Sequence, residues 1–336
     1  MEMRVYGRTG MRISILGFGC GAVGGLMVRG AAADQETAIG RALDAGINYF
    51  DTAVQYGNGA SETNLGRTLK TLHPSGKPSG VFVGTKVRLP EADFGRIAAA
   101  VTESLDGSLA RLQMDHVDIF HLHNAITVNG GGDTLSADQV LNEVVPAFET
   151  LRKAGKTRFL GITAVGDTAA LLRVIDAEKF DSAQVSYNML NPSAGEPLPA
   201  GYPAQDYGRM FDHTQKAGVG VVGIRVIAGG ALSGSDQRHP IASPPPEPIG
   251  TASSYDADLA RARRLMPLVT EGFAASLPEA ATRFAITHPA MGTILVGMAT
   301  VDEFEGALAA VRKGPLPAAA LARLAALRAG FSGESR

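Results

Sequence analysis

Short apolar runs alternate with helical patterns along nearly the whole chain. Eight runs read as strands, at 14–18, 47–51, 81–86, 117–122, 158–162, 182–186, 219–224 and 293–296. They are continuous rather than alternating, as expected for strands covered on both faces. Amphipathic stretches lie between them at 35–45, 62–72, 94–111, 137–154, 168–177, 206–217 and 302–311, with Asp34 as a candidate N-cap. Gly46, Gly155 and Gly218 stand where a helix ends and the next strand begins, which suits a C′ residue. Regular alternation implies right-handed crossovers and a parallel sheet. Eight repeats predict an α/β protein in which that sheet closes into a (β/α)8 TIM barrel, one domain over residues 1–336.

Residues 3–13, with Arg8-Thr9-Gly10 between two strand-like arms, read as a hairpin capping the barrel floor. Long segments at 124–138, 189–205 and 228–255 all follow strands, so they are expected as loops over the C-terminal face, where barrel enzymes keep their active sites. The last contains Ser243-Pro-Pro-Pro-Glu-Pro, a stiff extended stretch.

Composition narrows the function. Of 336 residues 45% are hydrophobic and 19% charged, enough apolar material for a large core. Lys and Arg number 31 against 33 Asp and Glu, a formal net charge of −2, and Trp is absent. Nucleic-acid binding by counterion release or base stacking is therefore not expected. The lone Cys20 cannot form an internal disulfide, which points to a reduced, cytoplasmic setting. The apolar run 13–28 is rich in glycine, lacks a cleavage site and is too short to span a bilayer, so neither a signal peptide nor a membrane span is read there. Gly19-x-Gly21-x-x-Gly24 in that run matches a dinucleotide fingerprint, but no helix opens directly behind it, so it reads as a glycine-rich loop at a strand end.

The candidate chemistry lies in polar residues at strand ends. Asp51 closes the second strand, Tyr56 follows five residues later, Lys86 closes the third, and His123 follows the fourth. Each alone has an ordinary explanation as a cap, a snorkelling side chain or a packed histidine. Four at the same end of consecutive units point to a site. A lysine held against a tyrosine favours the phenolate, a carboxylate keeps that lysine charged, and a histidine can hydrogen-bond a carbonyl oxygen. The group can protonate a developing alkoxide but supplies no hydride, so a nicotinamide is implied and no metal is needed.

The segments 46–57 (GINYFDTAVQYG) and 61–66 (SETNLG) resemble the aldo-keto reductase signature, as do Gly84-Thr-Lys86, 118–123 (DIFHLH), 155–161 (GKTRFLG), 184–188 (QVSYN) and 226–232 (VIAGGAL). The resemblance implies the hairpin-capped barrel and NAD(P)(H)-dependent carbonyl reduction or alcohol oxidation. It places the catalytic tetrad on Asp51, Tyr56, Lys86 and His123, with Tyr56 as general acid, and leaves His121 inside the barrel. It places Gly19, Cys20, Asp51, Gly229, Gly230, Leu232 and Thr300 along the cofactor.

Several positions depart from the family pattern. The usual Ser-Asn pair on the carboxamide is Thr163-Ala164, of which only Thr163 can hydrogen-bond, with Gln184 as the third contact. Ile224 stands where an aromatic ring usually stacks on the nicotinamide, and Arg225 beside it is expected to face the cofactor. Lys, Ser and Arg, which hold a 2′-phosphate in NADPH-preferring members, are Gly297, Met298 and Glu303. A carboxylate repels that phosphate and accepts from a free ribose hydroxyl, so NAD(H) is expected to bind at least as well as NADP(H). Cys20, Gly21 and Val54 are expected to border the substrate pocket. A barrel lyase or aldolase using Lys86 as a Schiff base, or a cofactor-binding regulatory subunit, are the competing readings.

Overall fold

The computed structural model describes residues 1–251 and 253–334. An antiparallel hairpin of β1 (Met3–Val5) and β2 (Arg12–Ser14) precedes the barrel, with Arg4 opposite Ile13. Its turn is a short 3-10 segment, Gly7–Thr9, closed by Gly10 at φ 73°. Eight parallel strands follow: β3 (Leu16–Gly19), β4 (Tyr49–Asp51), β5 (Phe82–Val87), β6 (Val117–Leu122), β7 (Thr157–Ala164), β8 (Ser182–Ser186), β9 (Gly220–Ile224) and β10 (Met291–Val296). Each pairs with its successor, and β10 returns to β3 to close the ring.

Alternation along these strands separates two cores. Outward residues such as Phe18, Phe50, Val83 and Phe120 pack under the helices. Inward residues, among them Ile13, Tyr49, Ile119, Val222 and Leu295, fill the barrel. Tyr6 plugs the floor with its ring against β9 and β10. A Cβ on Gly220 or Gly292 would come within 2.6 Å of that ring, so glycine is required at both positions. The Tyr6 hydroxyl bonds Ser182 Oγ at 2.6 Å, and Ser182 in turn meets His121 Nε2 at 3.0 Å. His121 is therefore inner-barrel filling, and Gly161 makes room for its ring. Arg8 ties the hairpin to Asp181 at 3.0 Å.

The helices depart from the sequence expectation mainly at their ends. The first crossover helix is Ala32–Asp44 with Ala31 at the N-cap, so Asp34 lies in its first turn, where its charge suits the helix dipole. The stretch from 94 begins as 3-10 turns (Glu91–Arg96) and becomes α-helical only at Ile97–Leu112. A π turn at Val140–Val144 interrupts 137–154 just before Pro146. The helix expected at 206–217 is confined to Met210–Lys216. Helices Tyr255–Arg263, Leu277–Ala285 and Ala318–Ala329 were not anticipated. Ser276 and Glu279, a cap and its N3 partner around Pro278, were the signal for the second.

The long segments divide. Residues 228–255 fold over the mouth, apart from residue 252, which lies outside the described residues. Residues 189–205 do not border the cleft. Their backbone turns on Asn188, Asn191 and Ser193, and Tyr202 donates to Leu190 O at 2.7 Å beside Phe331, so this loop is packed filling rather than a lid.

Candidate active site

The C-terminal mouth opens into a cleft of about 830 Å³ bordered by Asp51, Tyr56, His123, Thr163 and Gln184, within the size range of small-molecule sites. Asp51 ends β4 pointing inward. Tyr49, two residues earlier on the same face, donates to Asp51 Oδ2 at 2.9 Å, and Gly84 makes room for that hydroxyl. Lys86, on the inward face of β5, donates to Asp51 Oδ1 and, at 2.8 Å, to Thr52 O. Both side chains are buried, and a buried pair holds only when its remaining lone pairs are met. Gln184 Nε2 meets one of them by donating to Asp51 Oδ2 at 2.6 Å.

Tyr56 comes from the turn after β4. Lys86 Nζ lies 4.9 Å from its ring centroid, and the His123 ring meets it edge-on at 5.9 Å. That turn is fixed from behind, since Ser61 Oγ donates to Cys20 O at 2.9 Å and its amide donates to Tyr56 O at 3.2 Å. Buried Glu62 accepts from Thr85, beside Lys86, and from Arg111 Nε at 2.6 Å. The segment 61–66 thus braces β5 and the turn that carries Tyr56 rather than touching the cleft.

The electrostatics differ from the sequence expectation at one point. Burial pushes the Tyr56 phenol above its ordinary value of 10, outweighing the downward pull of Lys86. The phenol is held protonated. Burial opposes the charge on Lys86, but Asp51 and Tyr56 together keep its pKa above the usual lysine range. His123 is pushed down to about 3 by burial, with Lys86, Arg88 and Arg225 adding repulsion, so it is a neutral imidazole. Its Nδ1 sits 3.2 Å from Gln55 Oε1.

The cofactor candidates fall into two groups. Gly19, Gly229, Gly230, Gly297, Ile224, Arg225 and Glu303 border the cleft with Thr163 and Gln184. Gly229 and Gly230 adopt φ of 69° and 110°, and Arg238 clamps them by donating to Gly229 O at 2.8 Å. The side chains of Cys20, Leu232 and Met298 are instead buried in the core, and Thr300 caps helix Val301–Arg312 by accepting from Glu303 N at 3.1 Å. Val54 also stands away from the cleft, while Gly21 borders it. Sequence reasoning missed Gly24, Arg88, Arg238, Tyr255, Glu279 and Thr282, which border it too. Most of these lie on loops or on helices whose starts were not recognised.

A nicotinamide dinucleotide fits what is present. Thr163 Oγ1 is buried without a hydrogen-bond partner and borders the cleft, as a carboxamide contact requires. Gln184 spends its amide N–H on Asp51 and keeps its oxygen as an acceptor. Among the described residues no group of three or more His, Cys, Asp or Glu could hold a metal ion, and no helix is long and apolar enough to cross a membrane.

Comparison with known proteins shows the family. Residues 15–329 match the model of the aldo/keto reductase family. L-galactose dehydrogenase of Arabidopsis thaliana is 30% identical over 313 residues, covering 93% of this chain and 88% of that protein. D-threo-aldose 1-dehydrogenase of a Pseudomonas species is 32% identical over 221 residues, 57% of this chain and 63% of that protein. The holo structure of aldo-keto reductase AKR11C1 from Bacillus halodurans superposes with a TM-score of 0.69 at 25% identity, covering 97% and 96% of the two chains. The chain belongs to the aldo/keto reductase family and is an NAD(P)-dependent oxidoreductase.

Proposed function

We propose that the enzyme interconverts an aldehyde, ketone or sugar with the corresponding alcohol, using Tyr56 as general acid and base. The observation that carries this reading is the meeting of Tyr56, Lys86, Asp51 and His123 at one end of the cleft. In reduction the Tyr56 hydroxyl gives its proton to the carbonyl oxygen as the carbon gains a hydride, and the resulting phenolate lies beside the Lys86 ammonium. Neutral His123 orients the carbonyl by a hydrogen bond. A bound dinucleotide supplies or accepts the hydride. Thr163 and Gln184 would hold its carboxamide, Ile224 would cover the ring without stacking, and the 229–230 turn would carry its phosphates. The sugar dehydrogenases among the relatives support a sugar or other small carbonyl compound as substrate.

NAD(H) is favoured, or accepted equally with NADP(H). The residues that helices Leu277–Ala285 and Val301–Arg312 contribute to the cleft include Glu279 and Glu303 and no Lys or Arg. Glu279 is already paired with Arg283 and Lys313, whereas the Glu303 carboxylate accepts from Ala299 N and has no ion pair among the described residues. The lyase alternative has less support, because a Schiff-base lysine needs a free amine and Lys86 is ion-paired and held charged. The lone buried Cys20 fits a cytoplasmic enzyme. Following nicotinamide absorbance across aldehydes, ketones and sugars, with both dinucleotides and in both directions, tests the reading. Turnover of none of them would overturn it.

A further inference from the structure

Arg225 follows β9 directly, in the left-handed conformation at φ 60°, which a non-glycine residue keeps only where its surroundings impose it. The backbone is pinned there, since Asn188 Nδ2 donates to Arg225 O at 3.2 Å and Ala228 N donates to the same oxygen at 2.8 Å. The side chain is half-buried and borders the cleft, yet its guanidinium makes no hydrogen bond or ion pair with another described residue. A partly desolvated, unpaired charge is costly, so its placement calls for a partner that the protein does not supply.

Arg88, two residues beyond Lys86, borders the same cleft. Its one ion pair among the described residues, to Asp133, is long at 3.4 Å and joins two half-exposed side chains. Such a pair contributes little and leaves the guanidinium available. Both arginines border the cleft together with Tyr56 and His123, and each lies near enough to His123 to oppose a positive charge on its ring. The carboxylates bordering the cleft do not neutralise them, since Asp51 is engaged by Lys86, Tyr49 and Gln184, Glu279 by Arg283 and Lys313, and Glu303 accepts from Ala299 N. Apolar Val23, Ala125 and Val165 also border the cleft.

We propose that Arg88 and Arg225 form an anion subsite beside His123, and that the substrate carries a carboxylate or a phosphate close to its reacting carbon. Planar guanidinium forks suit either group. The proposal rests on the carbonyl–alcohol reading and moves Arg225 from the cofactor, where the sequence put it, to the substrate.

Two matched pairs test it: succinic semialdehyde against butanal, and glycolaldehyde phosphate against glycolaldehyde, with wild type, R88Q and R225Q. The anionic member of one pair should show kcat/KM about tenfold higher or more, and that pair identifies the group. R225Q should remove about tenfold of this through KM, leaving the neutral aldehyde and the calorimetric Kd for NADH within about twofold. R88Q, an exposed change, should act in the same direction should R225Q prove unstable. Equal rates within both pairs would overturn the proposal, as would R225Q weakening NADH while preserving the anionic preference. If no aldehyde is reduced, the carbonyl reading fails instead. Calorimetric titration of succinate and inorganic phosphate into wild type and R225Q then decides the anion site, with equal binding overturning it and loss in R225Q supporting it.

Discussion

The Lys86 ammonium lies 4.9 Å from the centre of the Tyr56 ring while it is anchored to buried Asp51. Lysine does not leave the phenol ionised, because burial outweighs it and the pKa stays above 10. With Tyr56 as the proposed proton donor, Lys86 would act at the moment the proton leaves, when a phenolate in a poorly solvated pocket needs a fixed cation.

The pH dependence follows with a definite sign. If Tyr56 is the proposed acid, reduction needs its protonated phenol, so kcat/KM should stay level from about pH 6 to about pH 9 and fall only above the raised Tyr56 value. Oxidation needs the phenolate and should climb across the same range. His123, already neutral above about 3, should add no limb near pH 6. Initial rates in both directions check this.

Removing one partner of the buried pair should cost more than activity. Lys86→Met leaves the Asp51 carboxylate buried without its cation, so the fold should lose about 3 to 5 kcal/mol in urea unfolding together with turnover. A variant as stable as wild type would show that the pair is solvated.

His121 makes a separate prediction about acid. Its pKa in the folded protein is held well below 6.5 by burial, so the unfolded chain binds the extra proton first. Stability should fall as pH drops below about 6.5, by about 1.4 kcal/mol per unit from this group alone. Urea midpoints for His121→Gln should show a shallower loss over that range than wild type.

In the proposed reading, dinucleotide choice turns on Glu303. Glu303→Gln keeps acceptor and donor atoms at the helix start but removes the charge, so NADP(H) should bind several-fold tighter with stability little changed. Wild type should hold NAD(H) at least as tightly as NADP(H). Fluorescence titration with both dinucleotides checks both statements.

The barrel was legible because buried parallel strands are continuous apolar runs and because Gly46, Gly155 and Gly218, all at positive φ, mark where helices end. That Asp51, Tyr56, Lys86 and His123 meet was legible because polar residues at or just past the ends of such runs are out of place. Side-chain direction was not. Cys20 and Met298 sit in segments that border the cleft, but pack away from it. Alanine-rich Ala318–Ala329 shows little periodic contrast, and the 189–205 loop is ordered by side-chain bonds such as Gln205 to Gly166 O at 2.8 Å, which spacing alone does not encode. The net effect on the Tyr56 phenol depended on burial against charge, a balance that needs coordinates.

The most direct test of the proton-donor assignment is turnover by Tyr56→Phe alongside its dinucleotide affinity. The account predicts a fall in kcat of about 10²- to 10⁴-fold with the Kd for NADH little changed. Reduction at the wild-type rate by that variant would contradict it.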